Sequence, residues 1–370
     1  MPKQKIRWGI LATGRVAQQF ARGLSVLPDA ELMAVGSRNL SSAKLFADAY
    51  GIPKVHGSYE ALAADPEVDI IYVATPHIRH ARDCRLVLEA GKPVLCEKPF
   101  AVSAIEAGSV IALARSKGLF CMEAMWMRFM PLIAEVKALI SDGAIGRPEL
   151  LTADFGYAAA YDPKDRLFDR SLAGGCLLDR GIYPLSLAYQ LFGNPSSVSG
   201  QATMTAGGVD RSVGIVLKYA DGPLAVLTST LIAMTSNEAV ITGATGEIRI
   251  HAPFYHPTRL TITVRKPATP TPTELPAALS TKQKLLLAVK ESALGQRLLA
   301  SRGRGGKSRT IFRPDNGNGY HHEAAEAMRC LREGITESDR MPLGDTLGVL
   351  KLMDTLRRDW NLSYPGEVHE

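Results

Sequence analysis

Five short stretches hold residue types that could do chemistry together. The first is Glu97-Lys98-Pro99, which follows directly on the apolar run Val94-Leu95-Cys96. An acid and a lysine cannot both be buried unpaired at a strand end without a large desolvation cost, so this end is expected to face a cleft. A lysine fixed there can hold positive charge beside a hydroxyl or carbonyl oxygen while a hydride moves. A purely structural ion pair of Glu97 with Lys98 is the alternative. The second stretch is Gly174-Gly175-Cys176-Leu177-Leu178-Asp179-Arg180-Gly181-Ile182-Tyr183. On one helix, Asp179 and Tyr183 would share a face, offering a polar group that positions a substrate and a phenol for acid-base work. Pro184 disfavours helix at the residue before it, which would instead put Tyr183 at a helix start. Tyrosine titrates near about pH 10, and a nearby lysine cation favours its phenolate, a charge that Lys98 could supply.

The other three stretches suit a dinucleotide. In Gly9-Ile10-Leu11-Ala12-Thr13-Gly14-Arg15-Val16-Ala17 a first strand turns into a first helix, and Gly9, Ala12, Thr13, Gly14, Arg15 and Val16 are candidates to line a pyrophosphate at the helix N-terminus. The fingerprint is imperfect. Ala12 stands where the first glycine of G-x-G-x-x-G is expected, and Ala17 is an allowed variant at the third. The second strand closes on Val35-Gly36-Ser37-Arg38-Asn39 without the acid that would bond a ribose hydroxyl. Ser37 and Arg38 suit a ribose 2′-phosphate instead, which favours NADP over NAD. Thr75-Pro76-His77-Ile78-Arg79-His80 follows a later strand, at the carboxyl edge where ligands bind in such sheets. Thr75, Pro76, His77 and Glu97 are therefore placed against the cofactor, and His80 is the histidine preferred near the nicotinamide and substrate.

Positioning these groups requires a parallel sheet. Strand candidates at Ile6 to Leu11, Glu31 to Gly36, Ile70 to Ala74, Val94 to Cys96 and Leu119 to Cys121 alternate with helical stretches such as Val16 to Leu24, Ser42 to Tyr50 and His80 to Ala90. The run Ile70-Ile71-Tyr72-Val73-Ala74 is apolar on both faces, as a parallel strand covered by helices should be. An α/β Rossmann domain, a doubly wound parallel sheet, is expected over residues 1–125. From residue 126 the pattern changes to a helix at Pro131 to Ile140 and longer alternating runs at Glu149 to Tyr157, Ser212 to Tyr219, Leu224 to Met234 and Arg259 to Val264. That predicts an α+β domain over 126–370 with a large, mainly antiparallel open sheet, closed by helices at Tyr320 to Glu333 and Leu343 to Trp360.

The net charge of +6 raises the question of nucleic acid, but Arg259 to Arg313 alone carries twelve Lys or Arg against two Glu. The basicity belongs to one excursion at 265–313, and no nucleic-acid partner is expected. Within it, Pro267, Pro270, Pro272 and Pro276 predict an extended linker. Lys282 to Leu299 then carries a helical apolar stripe before a basic loop from Ser301 to Arg309. Five widely spaced cysteines without a C-x-x-C pair argue against a disulfide framework and a zinc site, and no metal is assigned. No run approaches the roughly 18 apolar residues of a membrane span, and a strand-like run follows the first five residues. A cytoplasmic enzyme is expected.

Taken together, these stretches resemble the glucose-fructose oxidoreductase and inositol dehydrogenase family, for which Glu-Lys-Pro after a Rossmann strand is a specific mark. Many members have histidine where this chain has Tyr183. The tyrosine, with Glu123-Ala124-Met125-Trp126-Met127-Arg128-Phe129-Met130-Pro131, is similar to the dimeric dihydrodiol dehydrogenases and NADP-dependent D-xylose dehydrogenases. The resemblance implies Lys98 and Tyr183 as the catalytic pair, Asp179, Trp126 and Arg128 near the substrate, and a homodimer. It implies hydride transfer between NADP and a sugar or cyclic vicinal diol. The competing expectation is an inactive dinucleotide-binding regulator whose basic segment engages an acidic partner.

Overall fold

The computed structural model of the chain describes residues 5–265, 280–294 and 306–367. Its first sheet is built from β1 (Ile6–Leu11), β2 (Ala30–Gly36), β3 (Lys54–His56), β4 (Ile70–Val73), β5 (Val94–Glu97) and β6 (Cys121–Ala124). All are parallel, in the order β3-β2-β1-β4-β5-β6. Helices α1 (Arg15–Leu24), α2 (Leu40–Tyr50), α3 (Tyr59–Ala63), α4 (His80–Glu89) and α5 (Ala104–Lys117) connect them. Every residue of β4 and β5 is buried, because helices cover both faces. Asn39 and Ser103 start α2 and α5 by accepting the backbone N–H of Ser42 and Glu106. The strand order reverses between β1 and β4, which opens a crevice at their carboxyl ends. Ala12, Thr75 and Lys98 lie just past the ends of β1, β4 and β5 on this edge.

The second sheet follows α6 (Pro131–Ser141) and comprises β7 (Pro148–Gly156), β8 (Ser197–Met204), β9 (Asp210–Lys218), β10 (Leu224–Thr230), β11 (Ala239–Gly243), β12 (Gly246–Ile250), β13 (Arg259–Val264) and β14 (Lys307–Phe312). The order is β14-β13-β12-β11-β7-β10-β9-β8, antiparallel except for the parallel pair β7 and β10. Side chains alternate as a one-sided sheet requires: Leu151, Ala153 and Phe155 are buried while Thr152 is exposed. Helix α7 (Ile182–Phe192) is almost wholly buried through Leu187.

The last helices return to the first sheet's layer, although the sequence assigns them to the second unit. Helix α9 (Tyr320–Glu333) lies beside α1, where Asn318 donates to the carbonyl of Gln19 at 2.7 Å and Arg332 meets Asp29 at 2.8 Å. Helix α10 (Leu343–Asp359) lies on α5: Asp354 accepts the N–H of Ala104 at 2.7 Å, and Thr346 donates to the buried Glu123 at 2.9 Å. These helices join the two sheets.

Other expectations shift locally. The strand expected at Leu119 to Cys121 begins only at Cys121, because Gly118 ends α5 in the left-handed conformation and the N–H of Leu119 turns back to Ala114. Strands β3 and β8 carry little sequence signal, since β3 is three residues long and β8 reads Ser-Val-Ser-Gly-Gln-Ala-Thr-Met. The basic loop from Ser301 to Arg309 ends differently: Lys307, Ser308 and Arg309 pair with β13 as part of edge strand β14. Charged residues on an edge discourage further strand pairing. The proline-rich linker lies outside the described residues. Helix α8 (Thr281–Glu291) carries Leu285, Leu286 and Val289 in exposed positions.

Candidate active site

The turn after β1 has the form of a phosphate cradle. Gly14 is the N-cap of α1, no side chain caps that helix, and its first turn holds no acid. A Cβ on Gly14 would meet nothing within 4 Å, and an uncapped helix start of this kind is what an anion site requires. Thr13 is half-buried, Gly14 and Arg15 are exposed, and Val16 packs against the core. Ala12 has φ +95°, a conformation suited to glycine, which gives the missing glycine a physical meaning. Ala12→Gly should therefore stabilise the fold by about 1 kcal/mol, read as a higher urea midpoint. Gly9 lies inside β1, where a Cβ would press on Leu62 and Val68 at 3.1 Å, so its missing side chain serves close packing there.

At the end of β2, Ser37 is buried and its hydroxyl accepts the N–H of Asn39 at 3.2 Å, while Arg38 is exposed. After β4, Thr75 is buried with its hydroxyl unpartnered, a polar atom that a ligand could satisfy. Pro76 is exposed beside it. His77 Nδ1 lies 3.3 Å from the carbonyl of Ala173, and burial pushes its pKa down to about 3. His80 is turned inward: it is buried, with Nδ1 2.7 Å from the carbonyl of Pro99 and Nε2 2.7 Å from that of Thr75, so it holds two edges of the cleft together.

The alternative of a Glu97–Lys98 ion pair is replaced by a different division of labour. Glu97 is buried, accepts a hydrogen bond from the Tyr72 hydroxyl and accepts the backbone N–H of Lys98 at 3.2 Å. Burial raises its pKa to about 7. The ammonium of Lys98 instead crosses to the second sheet's layer. It donates to the carbonyl of Asp179 at 2.8 Å, lies 3.7 Å from that residue's carboxylate, and sits 5.0 Å from the centre of the Tyr183 ring.

Asp179 and Tyr183 do not share one α-helix. Leu177–Gly181 form a π-helical turn, and Tyr183 is the second residue of α7, in keeping with the bias that Pro184 imposes. The turn is fixed from below. Asp210 accepts the N–H of Leu177 at 2.6 Å, and Arg180 donates to the carbonyls of Tyr157 and Thr230. Gly175, at φ +132°, is required here because a Cβ would run into Asp210. Although burial opposes it, Lys98, Arg166 and His77 hold the carboxyl of Asp179 far below the usual carboxylate range. Arg166, which donates to Asp179 at 3.0 Å, escaped sequence reasoning because no spacing marks it.

Tyr183 is 6% exposed, and its hydroxyl oxygen accepts the indole N–H of Trp126 at 2.9 Å. Trp126 is stacked on Tyr320, with ring centres 5.1 Å apart. The expectation that Lys98 lowers the phenol pKa is not met. Burial and the charge of Glu97 push it well above the ordinary value, against the weaker help of Trp126. The Arg128 side chain is wholly buried and engaged by Ser186 at 2.8 Å and Asp345 at 2.6 Å, joining α7 to α10.

Comparison with known proteins matches two stretches of the chain. A description of the GFO/IDH/MocA oxidoreductase family with an NAD-binding Rossmann fold matches residues 6–125, and one of the GFO/IDH/MocA C-terminal domain matches residues 133–249. The chain is 34% identical to the trans-1,2-dihydrobenzene-1,2-diol dehydrogenase of Xenopus tropicalis, over 97% of this chain and 99% of that protein. Identity to the human enzyme of the same name is 33%, over 97% and 98%. Among solved structures, a 3-ketoreductase from Actinomadura kijaniata in complex with TDP-benzene and NADP shares the fold at TM-score 0.75 and 22% identity, over 96% and 97% of the two chains. A levoglucosan dehydrogenase in complex with NADH and levoglucosan does so at TM-score 0.78 and 20% identity, over 98% and 100%.

Proposed function

The chain belongs to the GFO/IDH/MocA oxidoreductase family, and from that premise we propose that it is an NADP-dependent dehydrogenase acting on a CH–OH group of a cyclic vicinal diol or a sugar. The observation that carries this reading is the meeting of Lys98, from the end of β5, with Tyr183, from the start of α7, at the mouth of the strand-reversal crevice. NADP would lie across the α1 N-terminus, Ser37, Arg38 and Thr75, and when bound supplies or accepts the hydride.

The chain's own residues handle the oxygen. In reduction, Tyr183 gives its proton to the carbonyl oxygen, a role suited to a phenol kept protonated by burial. Lys98 stabilises charge on that oxygen and is itself oriented by Asp179, which the lysine and Arg166 hold ionised. Trp126 fixes the Tyr183 hydroxyl so that its own hydrogen points to the substrate. Phe155 and Tyr255 pack around the tyrosine ring, at 5.2 and 5.5 Å, and exclude water from it.

The test is direct: the protein is mixed with NADP+ and trans-1,2-dihydrobenzene-1,2-diol, then with a panel of aldoses, and reduced nicotinamide absorbance is followed. Reproducible turnover of at least one is expected. A chain that binds NADPH and turns over nothing would overturn the proposal. Arg38→Ala should raise the KM for NADP by about 10-fold, the size of one lost charge-assisted phosphate contact, and leave that for NAD within about 2-fold.

Five buried cysteines without disulfides support a reducing compartment such as the cytoplasm. Among the described residues, no helix is long and apolar enough to cross a membrane. The homodimer is assigned to the uncovered face of the second sheet, which carries half-exposed Val216, Val226 and Val240.

A further inference from the structure

One group of side chains beyond the cleft has no part in hydride transfer. His321 and His322 open helix α9, and both ring Nε2 atoms approach the same oxygen of Asp315, at 3.4 and 3.0 Å. The other Asp315 oxygen lies 3.2 Å from Nε2 of His256, in the connection between β12 and β13. The two α9 imidazoles stand with ring centres 4.0 Å apart. Asp315 is nearly buried, with 8% of its side chain exposed. Adjacent histidines on a helix normally diverge, since each step turns by about 100°. Here they converge on one carboxylate.

The spacing has a specific meaning. A divalent ion bound at about 2.0–2.1 Å to imidazole nitrogen and carboxylate oxygen, in tetrahedral geometry, separates its donor atoms by about 3.4 Å. The donors of Asp315, His321 and His322 lie within 4.8 Å of one another, and the two nitrogen-oxygen separations fall at or just below that tetrahedral edge. Two imidazoles and a carboxylate form a borderline donor set that suits Zn2+ and related divalent transition ions over Mg2+ or Ca2+. The second carboxylate oxygen, held by His256, supplies the outer support that ligating carboxylates usually have.

We propose that Asp315, His321 and His322 form a divalent transition-metal site, with His256 orienting the carboxylate from outside. The site is structural. It ties the segment before α9, the first turn of α9 and the β12–β13 connection around Trp126, which has the His256 ring edge-on at 5.4 Å and Tyr320 stacked on its face. The ion thereby fixes the wall that holds Trp126 against Tyr183. It lies behind Trp126 and takes no part in the hydride step.

The experiment uses the full chain free of any histidine tag, stripped with chelator and titrated with Zn2+, with metal content read after desalting. About one Zn2+ per chain is expected, with a higher thermal midpoint. Co2+ in its place should give the visible absorption of an imidazole-ligated, low-symmetry ion. Asp315→Asn and His322→Ala should lose the retained Zn2+, His256→Ala should bind it about 10-fold more weakly, and His56→Ala, on the far β3, should bind it normally. If His322→Ala fails to fold, His322→Gln and the Co2+ spectrum of the unaltered chain carry the test. Wild-type protein that retains no Zn2+ and gives only the spectrum of aqueous Co2+, or folded Asp315 and His322 variants that bind as well as wild type, would overturn the site.

Discussion

Lys98→Ala is expected to lower kcat by at least about 10²-fold, or about 2.7 kcal/mol of barrier, while NADPH still binds and the melting curve is little changed. The ammonium is held by the Asp179 carbonyl at 2.8 Å and stands over the Tyr183 ring, so it is fixed before a substrate arrives. A fixed cation beside a developing alkoxide costs no reorganisation during the reaction. Removing it leaves Asp179 paired with Arg166, which is why the fold should survive. Steady-state kinetics with NADPH fluorescence titration distinguish the outcomes: near-normal kcat would remove Lys98 from the mechanism.

Tyr183→Phe is expected to cost a similar or larger factor, again at least about 10²-fold in kcat. The substitution also leaves the Trp126 N–H without its acceptor, a stability loss of about 1–3 kcal/mol that a urea melt would show separately. The pH dependence carries the more specific signature. Burial and Glu97 raise the phenol pKa above its ordinary value, so Tyr183 is protonated through neutral pH. The reductive rate should therefore be flat there, while the oxidative rate, which needs the phenolate, should climb as pH rises into the alkaline range. In Tyr183→Phe that climb should vanish. An unchanged climb in the variant would assign it to another group.

Much of this was legible in the chain because the relevant residues are tied to local signals. Lys98 follows a buried parallel strand that opens on the apolar run Val94-Leu95-Cys96, and Ala12 and Gly14 mark a strand-to-helix turn, so period and punctuation place them at one sheet edge without knowledge of the rest. Pro184 likewise placed Tyr183 at a helix start. What could not be read were contacts made across the chain. Arg128 looks like a pocket residue beside Trp126, yet its fate is decided by Asp345, 217 residues later. His80 sits at the right edge but turns to two backbone carbonyls, one of them supplied by the turn after β5. The phenol of Tyr183 was expected to be lowered by Lys98, and the ring's burial outweighs that cation. The convergence of His256 and His322 on Asp315 depends on a sheet connection meeting a returning helix. None of these has a sequence period.

The central claim is that Lys98, past the end of β5, and Tyr183, at the start of α7, act on one substrate oxygen, and a double-variant cycle tests it most directly. Single-turnover hydride transfer, followed by nicotinamide absorbance, is measured for wild type, Lys98→Ala, Tyr183→Phe and the pair together. Groups that work as a unit lose little more together than the worse of the two alone. The double variant is therefore predicted to fall well short of the product of the single losses. Losses that multiply in full, or a single variant with wild-type transfer, would contradict the account.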